Sequence, residues 1–132
     1  MRNRHTQSGF TLVELLIVMA IIGILVTMAI PRFTAAVQHA REAVLREDLQ
    51  TMRMAIDSYT MDKQKAPQSL DDLIQDGYLK SVPEDPMTHS KDTWVTEFEP
   101  PDPDNPDAEV GIFRIRSGST DMGENQIPYN EW

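Results

Sequence analysis

Hydrophobic and polar positions divide this chain into stretches of different period. From Phe10 to Ile30 the run is apolar, and Glu14 is its only formal charge. A membrane helix takes about 20 predominantly apolar residues, so the run predicts one span with an acid near its start. Beyond Pro31 the pattern changes. Leu45, Leu49, Met52, Ile56 and Tyr59 recur at three- and four-residue spacings, with Arg41, Glu42, Arg46, Glu47 and Asp48 off that stripe. This is the period of an amphipathic helix with one face in a core, and its Met and aromatic members read as packing residues. A proline inside a helix removes one backbone bond and tends to kink it. Pro31 is therefore read as a bend within one helix from Phe10 to about Met61, on the order of 75 Å long at ~1.5 Å per residue.

Lys63 to Pro67 breaks the helical period. Ser69-Leu70-Asp71-Asp72 then reads as an N-cap followed by acids in a first turn. Leu70, Leu73 and Ile74 supply a short apolar face, and Gly77 gives the stop, so a helix of about two turns is expected. Thr93 to Glu99 and Val110 to Arg116 are rich in β-branched and aromatic residues and predict two strands. They are expected to pair as an antiparallel hairpin against the long helix, with Trp94, Phe98, Phe113 and Ile115 inward. Pro100 to Glu109, with four prolines and several acids, predicts an exposed loop. Ser117 to Trp132 has no period and reads as an ordered coil held by Ile127, Tyr129 and Trp132.

The segment before the apolar run changes the meaning of that run. Met1 to Gly9 carries Arg2 and Arg4, no acid, and ends on a small residue before the apolar stretch begins. An ordinary secretory signal has its apolar region before the cleavage site. A cut after Gly9 would instead remove only a basic tail and leave Phe10 as the N-terminus of an intact membrane helix. Arg2 and Arg4 hold that end in the cytoplasm, so everything after Ile30 is expected outside it. An acid at a helix centre costs roughly 2.5–3.5 kcal/mol on insertion scales and calls for a partner. The cut would create a cation four residues from Glu14, a carboxylate with no other candidate partner in the sequence.

Gly9-Phe10-Thr11-Leu12-Val13-Glu14, followed by the apolar stretch to Leu25, resembles the class III signal of type IV pilins and type II secretion pseudopilins. The resemblance implies cleavage between Gly9 and Phe10 by a prepilin peptidase and N-methylation of Phe10. It also implies a filament in which Glu14 meets the N-terminal amine of a neighbouring subunit. A proline where Pro31 stands belongs to the same pattern. Tyr78-Leu79 with Val82-Pro83-Glu84-Asp85-Pro86 resembles a passage of major pseudopilins that packs the connecting segment onto the long helix, and both prolines forbid a regular central strand there.

Charge and the remaining residue chemistry narrow the function. The formal net charge is −9 and there is no cysteine. The first argues against a nucleic-acid surface; the second excludes disulfides and thiolate chemistry. His5, His39 and His89 are not joined with acids at metal-ligand spacing, and neither a nucleophile elbow nor a phosphate-cradling glycine loop is present. No catalytic residue is assigned and no enzyme is expected. Asp102, Asp104, Asn105 and Asp107 have oxygen ligands at calcium-loop spacing, but Pro101, Pro103 and Pro106 restrict the fold-back and the loop glycine is missing, so a solvated acidic loop is expected. A second calcium candidate comes from the resemblance, which implies a C-terminal calcium loop in major pseudopilins. Ile115-Arg116-Ser117-Gly118-Ser119-Thr120-Asp121 matches its start, giving Ser117, Asp121 and Glu124 as metal candidates. Glu124-Asn125-Gln126-Ile127 stands where that family has a longer loop with paired aspartates.

The expected fold is α+β and pilin-like: a long N-terminal helix packed against a short helix and a small antiparallel sheet. The expected organisation is a leader at 1–9, a transmembrane and filament-core half of the helix at 10–31, and a periplasmic domain at 32–132. The expected role is a structural subunit of a type II secretion pseudopilus. It would be single-pass in the inner membrane and would polymerise into a helical periplasmic filament with other pseudopilins on an inner-membrane assembly platform. The alternatives are a type IV pilus subunit for adhesion or motility, and a solitary membrane-anchored domain that binds calcium or a partner.

Overall fold

A computed structural model describes residues 9–105 and 109–132. The leader residues Arg2, Arg4 and His5, and Asp107 of the acidic loop, lie outside the described residues. The elements in chain order are α1 (Leu12–Lys63), α2 (Leu70–Gln75), β1 (Val95–Phe98), β2 (Ile112–Arg116) and a 3-10 turn at Tyr129–Glu131. The chain divides into two compact units, one up to Gln38 and one at His39–Trp132, and α1 contributes residues to both.

The first unit is helix with no core of its own. Its large apolar side chains from Phe10 to Phe33 are all exposed, and the most apolar 18-residue window has a mean hydropathy of 2.7 with none of it buried. A helix that is apolar all round must be covered by lipid or by other helices. The helix passes through Pro31 without ending. Nearby hydroxyls are absorbed by the backbone: Thr27 Oγ1 donates to the Gly23 carbonyl at 2.5 Å and Thr34 Oγ1 to that of Pro31 at 3.0 Å. Such bonds matter where water is absent to take them.

The second unit packs on the stripe read from the sequence. Leu45, Leu49, Met52, Ile56 and Tyr59 are all buried, joined by Leu73, Leu79, Trp94, Ile112, Ile115 and Tyr129. The helix stops at Lys63, where Gln64 takes a positive φ of 57° and its side-chain amide donates to the Met61 carbonyl. In α2 the Ser69 hydroxyl accepts from the Asp72 N–H while the Asp72 carboxylate accepts from the Ser69 N–H, a reciprocal cap. Such caps hold a six-residue helix that propensity alone would not. Gly77 at φ 81° closes α2, in the left-handed conformation that glycine adopts without a Cβ penalty. The Tyr78 to Pro86 passage packs inward through Leu79 and Val82, and the Trp94 indole N–H donates to the Pro83 carbonyl at 2.8 Å.

β1 and β2 pair antiparallel as expected, but the inward set differs. Ile112 and Ile115 are buried, whereas Phe98 and Phe113 are 48% and 44% exposed. The register explains Phe113. Glu97 pairs with Arg114 and Phe98 with Ile112, so Phe113 is an extra residue on β2. An inserted residue shifts the alternation by one, which turns Ile112 rather than Phe113 toward the core. Phe98 sits at the end of β1 and keeps about half its surface in solvent. Ile127 is likewise exposed, so the C-terminal coil is held by Tyr129 and Trp132 without it. Gly118 lies so close to the Thr93 carbonyl that any side chain there would collide with it. Residues 100–105 are exposed, with an Asx turn in which Asp102 Oδ1 accepts from the Asp104 N–H at 2.9 Å.

Candidate functional site

The head of α1 carries the processing and assembly candidates. Gly9, Phe10 and Thr11 precede the first helical residue and are exposed, so the Gly9–Phe10 bond lies in non-helical, accessible backbone. Glu14 is also exposed, on the first turn. Its carboxylate, however, does have a partner in its own chain. Glu14 Oε2 accepts from the Thr11 N–H at 3.0 Å, and the Glu14 N–H donates to Thr11 Oγ1 at 3.2 Å. Thr11-x-x-Glu14 is thus a capping box that satisfies two helix-end donors reciprocally. The expectation that Glu14 lacks any partner except a neighbouring amine is corrected on this point. The Thr-x-x-Glu spacing was visible in the sequence and is the signal that finds it.

The metal candidates do not converge. The Ser117 hydroxyl is buried and donates to Asp85 Oδ2 at 2.6 Å. Asp121 is exposed, and its N–H donates to Ser119 Oγ. The Glu124 carboxylate lies 3.3 Å from His39 Nδ1. Among the described residues no three His, Asp or Glu side chains gather as a metal site. A hard cation takes six to eight oxygens, and this donor set does not fit one.

A different polar centre holds the C-terminal segment. Glu42 was expected on the solvent side of the helix; it is 0% exposed. Its Oε1 accepts from the Tyr129 hydroxyl and from the Glu124 N–H, both at 2.8 Å, while Oε2 is 3.5 Å from Arg46 Nη2. Arg46 in turn stacks 4.6 Å from the Trp132 ring, which meets Tyr129 edge-on. Arg53 donates to the main-chain oxygens of Trp132 at 2.6 Å and Ile115 at 3.2 Å. Burial, with Arg114 and Arg116 nearby, lowers the Arg53 value from its ordinary one. Glu42 lies three residues before Leu45 and so falls on the apolar stripe; only its charge argued otherwise. Asp85 is the second buried carboxylate, capping the Met87 N–H at 2.8 Å besides accepting from Ser117. The sequence marked it only as a member of the Val82 to Pro86 passage, with no role of its own.

Comparison with known proteins places this geometry. Residues 4–30 match the family model described as the prokaryotic N-terminal methylation motif. The chain is 33% identical over 99 residues to a type II secretion system core protein G of Pseudomonas aeruginosa, covering 63% of this chain and 70% of that protein. It is 31% identical over 99 residues to the core protein G of Klebsiella michiganensis, with 63% and 70% covered. A competence protein ComGC of Halalkalibacterium halodurans is 34% identical over 76 residues, with 58% of this chain and 74% of that protein covered. No solved structure matches the chain. With an exposed apolar helix headed by a methylation motif and a small α+β domain behind it, this chain belongs to the type IV pilin-like family of type II secretion system core protein G, the G-type pseudopilins.

Proposed function

We propose that the chain is a structural subunit of a type II secretion pseudopilus, stored as a single-pass protein of the inner membrane with its N-terminus cytoplasmic and residues 32–132 periplasmic. A prepilin peptidase cuts between Gly9 and Phe10, and the new Phe10 amine is methylated. Copies then leave the bilayer on an inner-membrane assembly platform and stack, with other pseudopilins, into a periplasmic filament that drives protein export. The role is mechanical. One observation carries it: every large apolar side chain from Phe10 to Phe33 is exposed, a surface too large to leave in water. Lipid covers it in storage and neighbouring helices cover it in a filament.

Glu14→Ala tests this reading. The variant is expected to be processed and inserted normally, because neither step uses the carboxylate, yet to yield no filaments in sheared membrane fractions. Filaments of normal length from this variant would refute the role assigned to Glu14. The competence relative favours one second reading, a pilus-type filament in another system; loss of transformation with secretion intact in a deletion strain would select it.

A further inference from the structure

We propose that the C-terminal segment of this chain is fastened to α1 without a metal ion, by the buried carboxylate of Glu42. A calcium loop gathers anionic oxygens around a cation. Here the polarity is reversed, with the anion on the helix and the donors on the loop. The Glu124 N–H and the Tyr129 hydroxyl both point at Glu42 Oε1 from 2.8 Å, so one atom ties both ends of the 124–129 turn. A cation placed there would face N–H and O–H donors. Two of the three side chains that the resemblance offers to calcium are engaged elsewhere: Ser117 Oγ donates to Asp85 and the Glu124 carboxylate sits against His39, while Asp121 is exposed and its main-chain carbonyl accepts from the Tyr129 N–H at 3.0 Å.

The clasp extends along one face of α1. His39, Glu42, Arg46 and Arg53 are spaced three, four and seven residues apart, which stacks them on the same side of the helix. Each reaches the C-terminal segment: His39 to Glu124, Glu42 to Glu124 and Tyr129, Arg46 to the Trp132 ring, Arg53 to the Trp132 main chain. A buried charge is tolerated when its hydrogen bonds are made and a counter-charge is near. Glu42 has two short donors and the Arg46 guanidinium. The segment that would need a metal to hold its shape is thereby closed by side chains already in place.

The test uses the full chain in detergent micelles, with thermal unfolding followed by near-ultraviolet circular dichroism in calcium chloride and in EGTA. The unmodified chain is expected to unfold at the same midpoint in both, and calorimetry with calcium chloride is expected to give no saturable heat. Glu42→Ala should lower the midpoint by about 10 °C or more in both buffers and should speed amide exchange at Glu124, with no rescue by calcium. Should that variant not fold, Glu42→Gln keeps the Oε1 acceptor and is read in the same two buffers. A calcium-dependent rise of several degrees in the unmodified chain or in Glu42→Gln overturns the metal-free clasp, since a ligand of the folded form raises its midpoint. An Ala variant with unchanged midpoint and unchanged Glu124 exchange overturns the part given to Glu42. Neither readout depends on filament formation.

Discussion

Tyr129→Phe isolates one bond of the C-terminal clasp. The ring is 1% exposed and meets Trp132 at 5.1 Å between centroids with planes at 67°, and phenylalanine keeps both features. What is lost is the hydroxyl that donates to Glu42 Oε1 at 2.8 Å. That acceptor is fully buried, so water does not replace the donor. A hydrogen bond to a charged group contributes about 1.5–3 kcal/mol, against roughly 0.5–1.5 kcal/mol for a neutral one. The substitution should therefore cost about 2 kcal/mol. For a unit of this size that lowers the unfolding midpoint by about 8–16 °C. Denaturant or thermal unfolding of the full chain in micelles, read by near-ultraviolet circular dichroism, measures it. Combining Tyr129→Phe with Glu42→Gln removes the charge from the acceptor, and the two changes should couple by about 1 kcal/mol because they share one bond. If Tyr129 acted only as packing, Tyr129→Phe would fall within about 0.5 kcal/mol of the parent and the cycle would be additive. That result refutes the clasp energetics.

Two further expectations concern other parts of α1. Thr11→Val keeps the side-chain shape but deletes the acceptor for the Glu14 N–H; the cap loss of about 1 kcal/mol should speed amide exchange at Glu14 roughly five-fold in micelles, and an unchanged rate would remove Thr11 from the cap. The Asp48 carboxyl is pushed above its ordinary value, first by burial and then by Glu47 and Asp85. A folded form that holds its proton longer is favoured below the unfolded value and loses that advantage as pH rises through the folded one. Asp48→Asn should accordingly raise the unfolding midpoint at neutral pH, with the gain fading toward zero at about pH 3; a gain independent of pH would contradict this.

The long-range elements were legible because each rests on a periodic or capping signal that needs few tertiary contacts. The stripe from Leu45 to Tyr59, the Ser69 cap, the Gly77 stop and the antiparallel pairing of the two strands all follow from spacing and turn chemistry. Where the reading failed, a single local event had changed parity or polarity. One extra residue at Phe113 exchanged the inward roles of Phe113 and Ile112, and no propensity scale locates a bulge. Glu42 was assigned to solvent because a charge on an apolar stripe looks like its edge, whereas two donors eighty or more positions away make burial affordable. Ser117 matched a metal pattern in sequence, yet its hydroxyl was taken by Asp85, a partner 32 residues distant that only the fold supplies.

The capping box at Thr11 and Glu14 alters how the membrane-stored subunit is understood. A carboxylate with no partner would resist the bilayer and press toward assembly by its own discomfort. With the Thr11 N–H on Oε2, the acid instead stabilises the first turn and interacts favourably with the positive end of the helix dipole. Under the proposed assembly, stored subunits would not be primed by an unsatisfied charge, and pairing at Glu14 would be an exchange of partners. A helix cap is worth about 1 kcal/mol, while a carboxylate paired with an ammonium group out of water gains considerably more once both are already desolvated. The amine that a cut after Gly9 would expose belongs to Phe10, one residue before Thr11. Under the proposed pairing, a neighbouring subunit's amine would displace a weak intrachain bond rather than fill a void. On that account Glu14→Gln, which can still cap but carries no charge, should insert and fold its first turn normally while failing to assemble. Glu14→Ala should fail at assembly and also fray the turn, and the difference between the two in amide exchange at Leu12 to Glu14 separates the capping role of this residue from its pairing role.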